Sequence, residues 1–182
     1  MDSAFVQSIL YSPPEILGKQ LMPYCAGHEF LLCSIGSPLV DGGQVSRDDI
    51  ATGLFICSMT FEGGVEAIRE KSYLRDVLEW GAAAGPWDGE DVYLEWIDYR
   101  GTYTQFPQVW SKVGTAAGSG APGAWATVVS LIIATKGAFT ESQAWNMPLC
   151  KAVCYIETAN DLHTKERLMS DTEREAISAD QS

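Results

Sequence analysis

Basic residues are scarce in this chain: 12 lysines and arginines stand against 24 aspartates and glutamates, for a formal net charge of −12. A phosphate backbone is gripped by clustered Lys and Arg, so the balance argues against nucleic acid as a partner. Histidine is scarcer still, limited to His28 and His163, and neither lies beside a nucleophile motif. The glycine-rich "GSG" at Gly118 to Gly120 is not G-x-S-x-G, and no phosphate-cradling G-x-x-x-x-G-K-[ST] or G-x-G-x-x-G opening a helix occurs. The expectation is a protein that is not an enzyme and carries no cofactor. Long apolar runs are also missing. The longest, "AWATVVSLIIA" from Ala124 to Ala134, is roughly half of the about 20 residues that a bilayer span needs, so it reads as a buried core helix and no membrane partner is expected. The opening "MDSAFVQSILYSPPE" shows no basic n-region, apolar h-region or small-residue cleavage site, which points to the cytoplasm. Alternating strand patterns of useful length and internal repeats are absent too, leaving a mainly α fold.

What is present is enough for one core: 46% hydrophobic residues over 182 positions, with six tryptophans. We read a single-domain multi-helix bundle over residues 1–162, a mobile small-residue loop at 114–123 and a polar, frayed tail at 163–182. Ser12, Pro13, Pro14 and Glu15 resemble a capping box with Pro in the first turn, predicting a helix over 13–22. A second helix is predicted over 25–35, closed at Gly36, and the turn-rich "GSPLVDGGQ" follows. Ser46 with Asp49 caps a helix running to about Met59. After Gly63 and Gly64 the apolar phase slips near Ser72, predicting a kink or a second helix start. Asp88 caps the next helix, where Val92, Tyr93, Trp96, Ile97 and Arg100 fall on one stripe. Its Glu90, Asp91 and Glu95 suit the positive end of the helix dipole better than acid–base chemistry. Thr140 with Gln143 opens a short helix, and Ser170 with Glu173 could cap a marginal last one.

The stretch "ESQAWNMPLCKAVCYIE" from Glu141 to Glu157 places Cys150 and Cys154 four residues apart on one helical face. Asn146 is the expected N-cap, with Pro148 in the first turn. A zinc site would combine these thiols with Cys25 and His28. Their aliphatic neighbours Leu149, Val153 and Ile156 instead make both thiols core positions, and no metal is expected. The five cysteines, Cys25, Cys33, Cys57, Cys150 and Cys154, are expected to be reduced.

The order "GSGAPGAW", "ATVVSLIIA", "FTESQAWNMPLCKAVCYIETAN" and "SDTEREAI" resembles the tail assembly chaperones of tailed phages and prophages, a likeness that covers about Gly120 to Ile177. The matching positions are Ala144, Trp145, Met147, Pro148 and Leu149. In that reading Trp145, Met147, Pro148 and Leu149 anchor one helix on the rest of the domain, and none is catalytic. The resemblance implies a soluble helical protein of the bacterial host cytoplasm that binds the tape-measure protein, recruits tail-tube subunits and is absent from the finished particle. Trp80, Trp87, Trp96 and Trp110 are then the expected partner-binding residues, receiving an apolar helix in a groove. Two alternatives stay open: a tail connector or completion protein retained in the virion, and a small metal-binding or regulatory helical protein.

Overall fold

Two neighbouring residues with positive φ, Leu17 at 49° and Gly18 at 73°, decide the first element. Such a pair makes the tight turn whose twist matches a β-hairpin. In the computed structural model, which describes residues 10–105, 109–110, 123–163 and 167–168, β1 (Glu15–Ile16) therefore pairs antiparallel with β2 (Lys19–Gln20). The helix expected over 13–22 is a hairpin instead. Pro13 and Pro14 lend no N–H to a helix, and a left-handed Leu17 would interrupt one.

The helices that follow are set mostly by their caps. α1 (Ala26–Ser34) begins at Cys25, whose N–H donates to His28 Nδ1, and Gly36 at φ 65° turns the chain away. A one-turn α2 (Pro38–Asp41) lies within the stretch read as turns, with Pro38 next to its N-cap Ser37. α3 (Arg47–Cys57) carries the expected Ser46–Asp49 capping box. α4 (Phe61–Glu70) and α5 (Ser72–Ala83) are separated at Lys71, whose φ of 56° accounts for the phase slip. Asp88 caps α6 (Gly89–Tyr103), accepting from the Glu90 N–H at 2.8 Å. α7 (Ala124–Ala134) ends at Lys136 and Gly137, both with positive φ. Thr140 and Gln143 box the start of α8 (Glu141–Trp145), and α9 (Leu149–His163) closes the bundle.

The mainly α architecture expected from the sequence is what the structure shows, with four two-residue strands among the described residues. β3 (Val109–Trp110) pairs antiparallel with β4 (Arg167–Leu168), so part of the stretch expected to fray after His163 is paired. Of the loop expected at 114–123, only Gly123 lies among the described residues, as the N-cap of α7; the cap expected at Ser170 lies outside them. Among the described residues no helix is long and apolar enough to cross a membrane.

α1 is the hub, packing on α2, α3, α4, α7 and α8. α5 and α6 cover α3, while α9 covers α7. Gly53 of α3 leaves room for Leu39 of α2: a Cβ there would collide with the Leu39 side-chain end, while meeting the Trp96 ring of α6 at an ordinary contact distance of 3.5 Å. The core runs through Leu32, Leu54, Ile56, Trp96, Tyr99 and Leu131, all fully buried.

Candidate functional site

The tryptophans expected to receive a partner are separated by the fold. Trp96 is fully buried, wedged against Tyr24 and Tyr99 at ring distances of 6.1 and 5.7 Å, and offers no surface. Its helix turns on the stripe Val92, Trp96, Tyr99 and Tyr103, not on the Val92, Tyr93, Trp96, Ile97 and Arg100 stripe read from the sequence. Tyr99 and Tyr103 win those places because each hydroxyl finds a backbone acceptor, Met22 O at 2.7 Å and Tyr11 O at 3.2 Å. Ile97 is consequently 43% exposed.

Trp80 is half-buried, donating from Nε1 to Leu17 O at 3.2 Å while the Lys19 ammonium sits 5.5 Å over its ring; it fastens the hairpin to α5. Trp87, also half-buried, lines an open groove between α3 and α5 with Ala51, Val77, Leu78 and Ala82, under the Arg47 guanidinium at 5.5 Å. Trp110 lies in β3, and its side chain is outside the described residues.

The anchor group meets at the opposite end of the hub. Trp145, 3% exposed, stacks on Phe61 with ring centres 4.5 Å apart and planes 17° apart, and Phe30 and Trp125 border it at 5.2 and 5.5 Å. Met147 and Leu149 are buried, Pro148 forms a β-bridge to Cys25, and the Leu149 N–H donates to Tyr24 O. Asn146 is not the N-cap of α9. It is the C-cap of α8, and its Oδ1 instead accepts from the first N–H of α4, Phe61, at 2.8 Å. Its amide also donates to Glu62 at 2.9 Å, and with the Ser142 hydroxyl at 2.5 Å it holds the Glu62 carboxyl below its ordinary range, the hydroxyl contributing most.

The four residues of a zinc reading are otherwise engaged. His28 accepts from Cys25 N at Nδ1 and faces Met59 O at 2.9 Å with Nε2, which makes Nε2 the protonated nitrogen; burial pulls its pKa down to about 4. Burial likewise pushes the Cys25 thiol up to about 12. Cys150 is fully buried, whereas Cys154, expected in the core, is half-buried with its sulfur 3.9 Å from the Thr158 hydroxyl. Among the described residues no group of three or more His, Cys, Asp or Glu converges to hold a metal, and no disulfide joins any of the five cysteines.

Among the described residues, exposed apolar side chains also stand on the outer sides of α6 and α7, and neither face contains Trp80, Trp87 or Trp96. The first is the outer side of α6, where Leu94 is 58% and Ile97 43% exposed amid exposed Glu90, Asp91, Glu95 and Asp98. The helix is held in that orientation by Arg100, which pairs with Glu29 of α1 at 3.1 Å, while the Tyr24 hydroxyl donates to the same carboxylate. The second is the outer side of α7, where Trp125, Val129 and Ile133 stand 57%, 36% and 70% exposed. Both could be found in the sequence only by centring the helical wheels on the residues the fold buries: Tyr99 and Tyr103 for α6, Val128 and Leu131 for α7. Compared with protein-family models, with curated proteins and with solved structures, the chain matches none.

Proposed function

We infer that this chain is a non-enzymatic tail assembly chaperone of the bacterial host cytoplasm, holding an apolar helix of a tape-measure-type protein for assembly with tail-tube subunits. The observation that carries the reading is the outer face of α6: two exposed aliphatic side chains, Leu94 and Ile97, ringed by four exposed carboxylates. The helix dipole rationalises Glu90 and Asp91 in the first turn, but Glu95 and Asp98 lie beyond its reach. An aliphatic pair rimmed by acid fits a helix with an apolar stripe and basic flanks, with the −12 net charge steering the encounter. The site keeps to the Trp80–Trp110 stretch expected from the sequence, with Leu94 and Ile97 as anchors in place of Trp96.

The test is co-expression with a long coiled-coil protein of the tape-measure type, which the reading expects to be encoded beside this one. The reading predicts that the partner is recovered soluble only when this chain is present, and that finished particles contain none of it. A partner equally soluble alone would refute the chaperone activity. Stoichiometric retention in particles would favour the connector alternative.

A further inference from the structure

α7 is the only helix among the described residues with no charged side chain along its whole length. On its outer side Trp125, Val129 and Ile133, spaced by four, form a ridge. Ala126, Ser130 and Ala134, also spaced by four, form the shallow row next to it, with Ala126 exposed and the other two half-exposed. Phe30 of α1, 39% exposed and bordering the same Trp145 ring as Trp125, extends the apolar surface at one end. A ridge and a groove of the same i, i+4 spacing, side by side on one helix, are complementary to themselves: a two-fold rotation lays each ridge in the other groove.

Charge bears on where a second copy can sit. A second copy brings another −12, so wherever acids line a contact the two copies repel. Leu94 and Ile97 are lined this way by Glu95 and Asp98, while Leu74 and Leu78 of α5 lie beside the Arg75–Glu79 ion pair. The α7 face meets its own copy with no carboxylate on the helix itself.

We propose that the outer face of α7 is the contact between two copies of this chain, paired α7 against α7 about a two-fold axis. This contact is independent of the client-binding reading for α6. A single helix pair buries less than the ~800 Å² per partner of a standard interface, so the dimer is dissociable. Its salt dependence has a definite sign: screening weakens the repulsion between the two acidic bodies while leaving the uncharged contact untouched, so added salt strengthens it.

Sedimentation equilibrium of the full chain over a concentration series, at about 50 mM and about 500 mM salt, tests this. The expected result is a mass rising with concentration toward twice the 19.8 kDa chain mass, further at the higher salt. Ile133→Lys should raise the dissociation constant at least ~10-fold although it eases the net charge, because it buries an unpaired ammonium. Ala126→Arg, which removes no apolar side chain, should do the same, and Leu94→Lys should leave association unchanged. A chain that stays monomeric at every concentration and both salts would overturn the proposal. So would association that survives both α7 variants, or that Leu94→Lys abolishes.

Discussion

α6 and α7 invert what their compositions suggest. α6 is rich in acids, yet it buries Trp96, Tyr99 and Tyr103 to 1% exposure or less; α7 has no charge at all and leaves Trp125 and Ile133 57% and 70% exposed. The difference lies in what each side chain meets. The tyrosines of α6 end on backbone carbonyls and its Arg100 on Glu29, so the two phenol tips are satisfied where their rings are buried, whereas the Trp96 indole N–H is buried without a hydrogen-bond partner. α7 is covered on one side by α1, α8 and α9, and nothing among the described residues covers the other. Aliphatic and aromatic side chains gain nothing for the monomer in water, so an outward apolar face bears on association and not on folding.

The sharpest way to break this contrast is to truncate one tryptophan from each helix. Trp96→Ala should destabilise by about 3–5 kcal/mol, while Trp125→Ala should cost under about 1 kcal/mol. Equal losses on thermal or urea unfolding would erase the distinction between the two faces. Trp145→Ala, on the anchor side, should resemble Trp96→Ala because Trp145 stacks on Phe61 within the core.

Acid should sharpen the contrast next. His28 is neutral in the fold, its pKa lowered to about 4 by burial against an unfolded value near 6.5. The unfolded chain binds the proton first, so the contribution of His28 is full above pH 6.5 and is lost as pH falls toward 4. That is about 3 kcal/mol over the window. Urea midpoints of the wild type should fall through this range, and those of His28→Gln should fall less. α7, with nothing to titrate, contributes no such slope.

A smaller effect is expected at Gly53 of α3. Gly53→Ala forces the Leu39 side chain aside and should cost about 1–3 kcal/mol, whereas Ala126→Leu on the outer face of α7 should be close to neutral for monomer stability. Thermal midpoints of the two variants decide between these outcomes.

Local chemistry was legible and tertiary choice was not. The boxes at Ser46–Asp49 and Thr140–Gln143, the Asp88 cap and the break before Ser72 could each be read from a few neighbouring residues. Ser12 to Glu15 matched a capping box equally well, but the positive φ of Leu17 and Gly18 closed a hairpin there. Asn146 has the chemistry of an N-cap and serves as one for a helix 85 residues away in sequence, a partner no local pattern contains. Helical spacing offered both Ile97 and Tyr99 to the core; the Met22 carbonyl admitted the tyrosine, and the isoleucine was left to solvent. Of the candidate site, the stretch was visible as acids mixed with apolar residues. Its anchors were not, because Trp96 is buried against Tyr24, a partner 72 residues away in sequence.

The most direct test of the functional account is calorimetric titration of the full chain with a synthetic helix carrying an apolar stripe and lysine flanks. The account predicts binding that weakens at least ~10-fold between about 50 and about 500 mM salt. It also predicts a loss of the same order in the Leu94→Lys/Ile97→Lys double variant and a change within about twofold in Ile133→Lys. Binding indifferent to salt, or abolished by Ile133→Lys and retained by the double variant, would contradict it and move the client to α7.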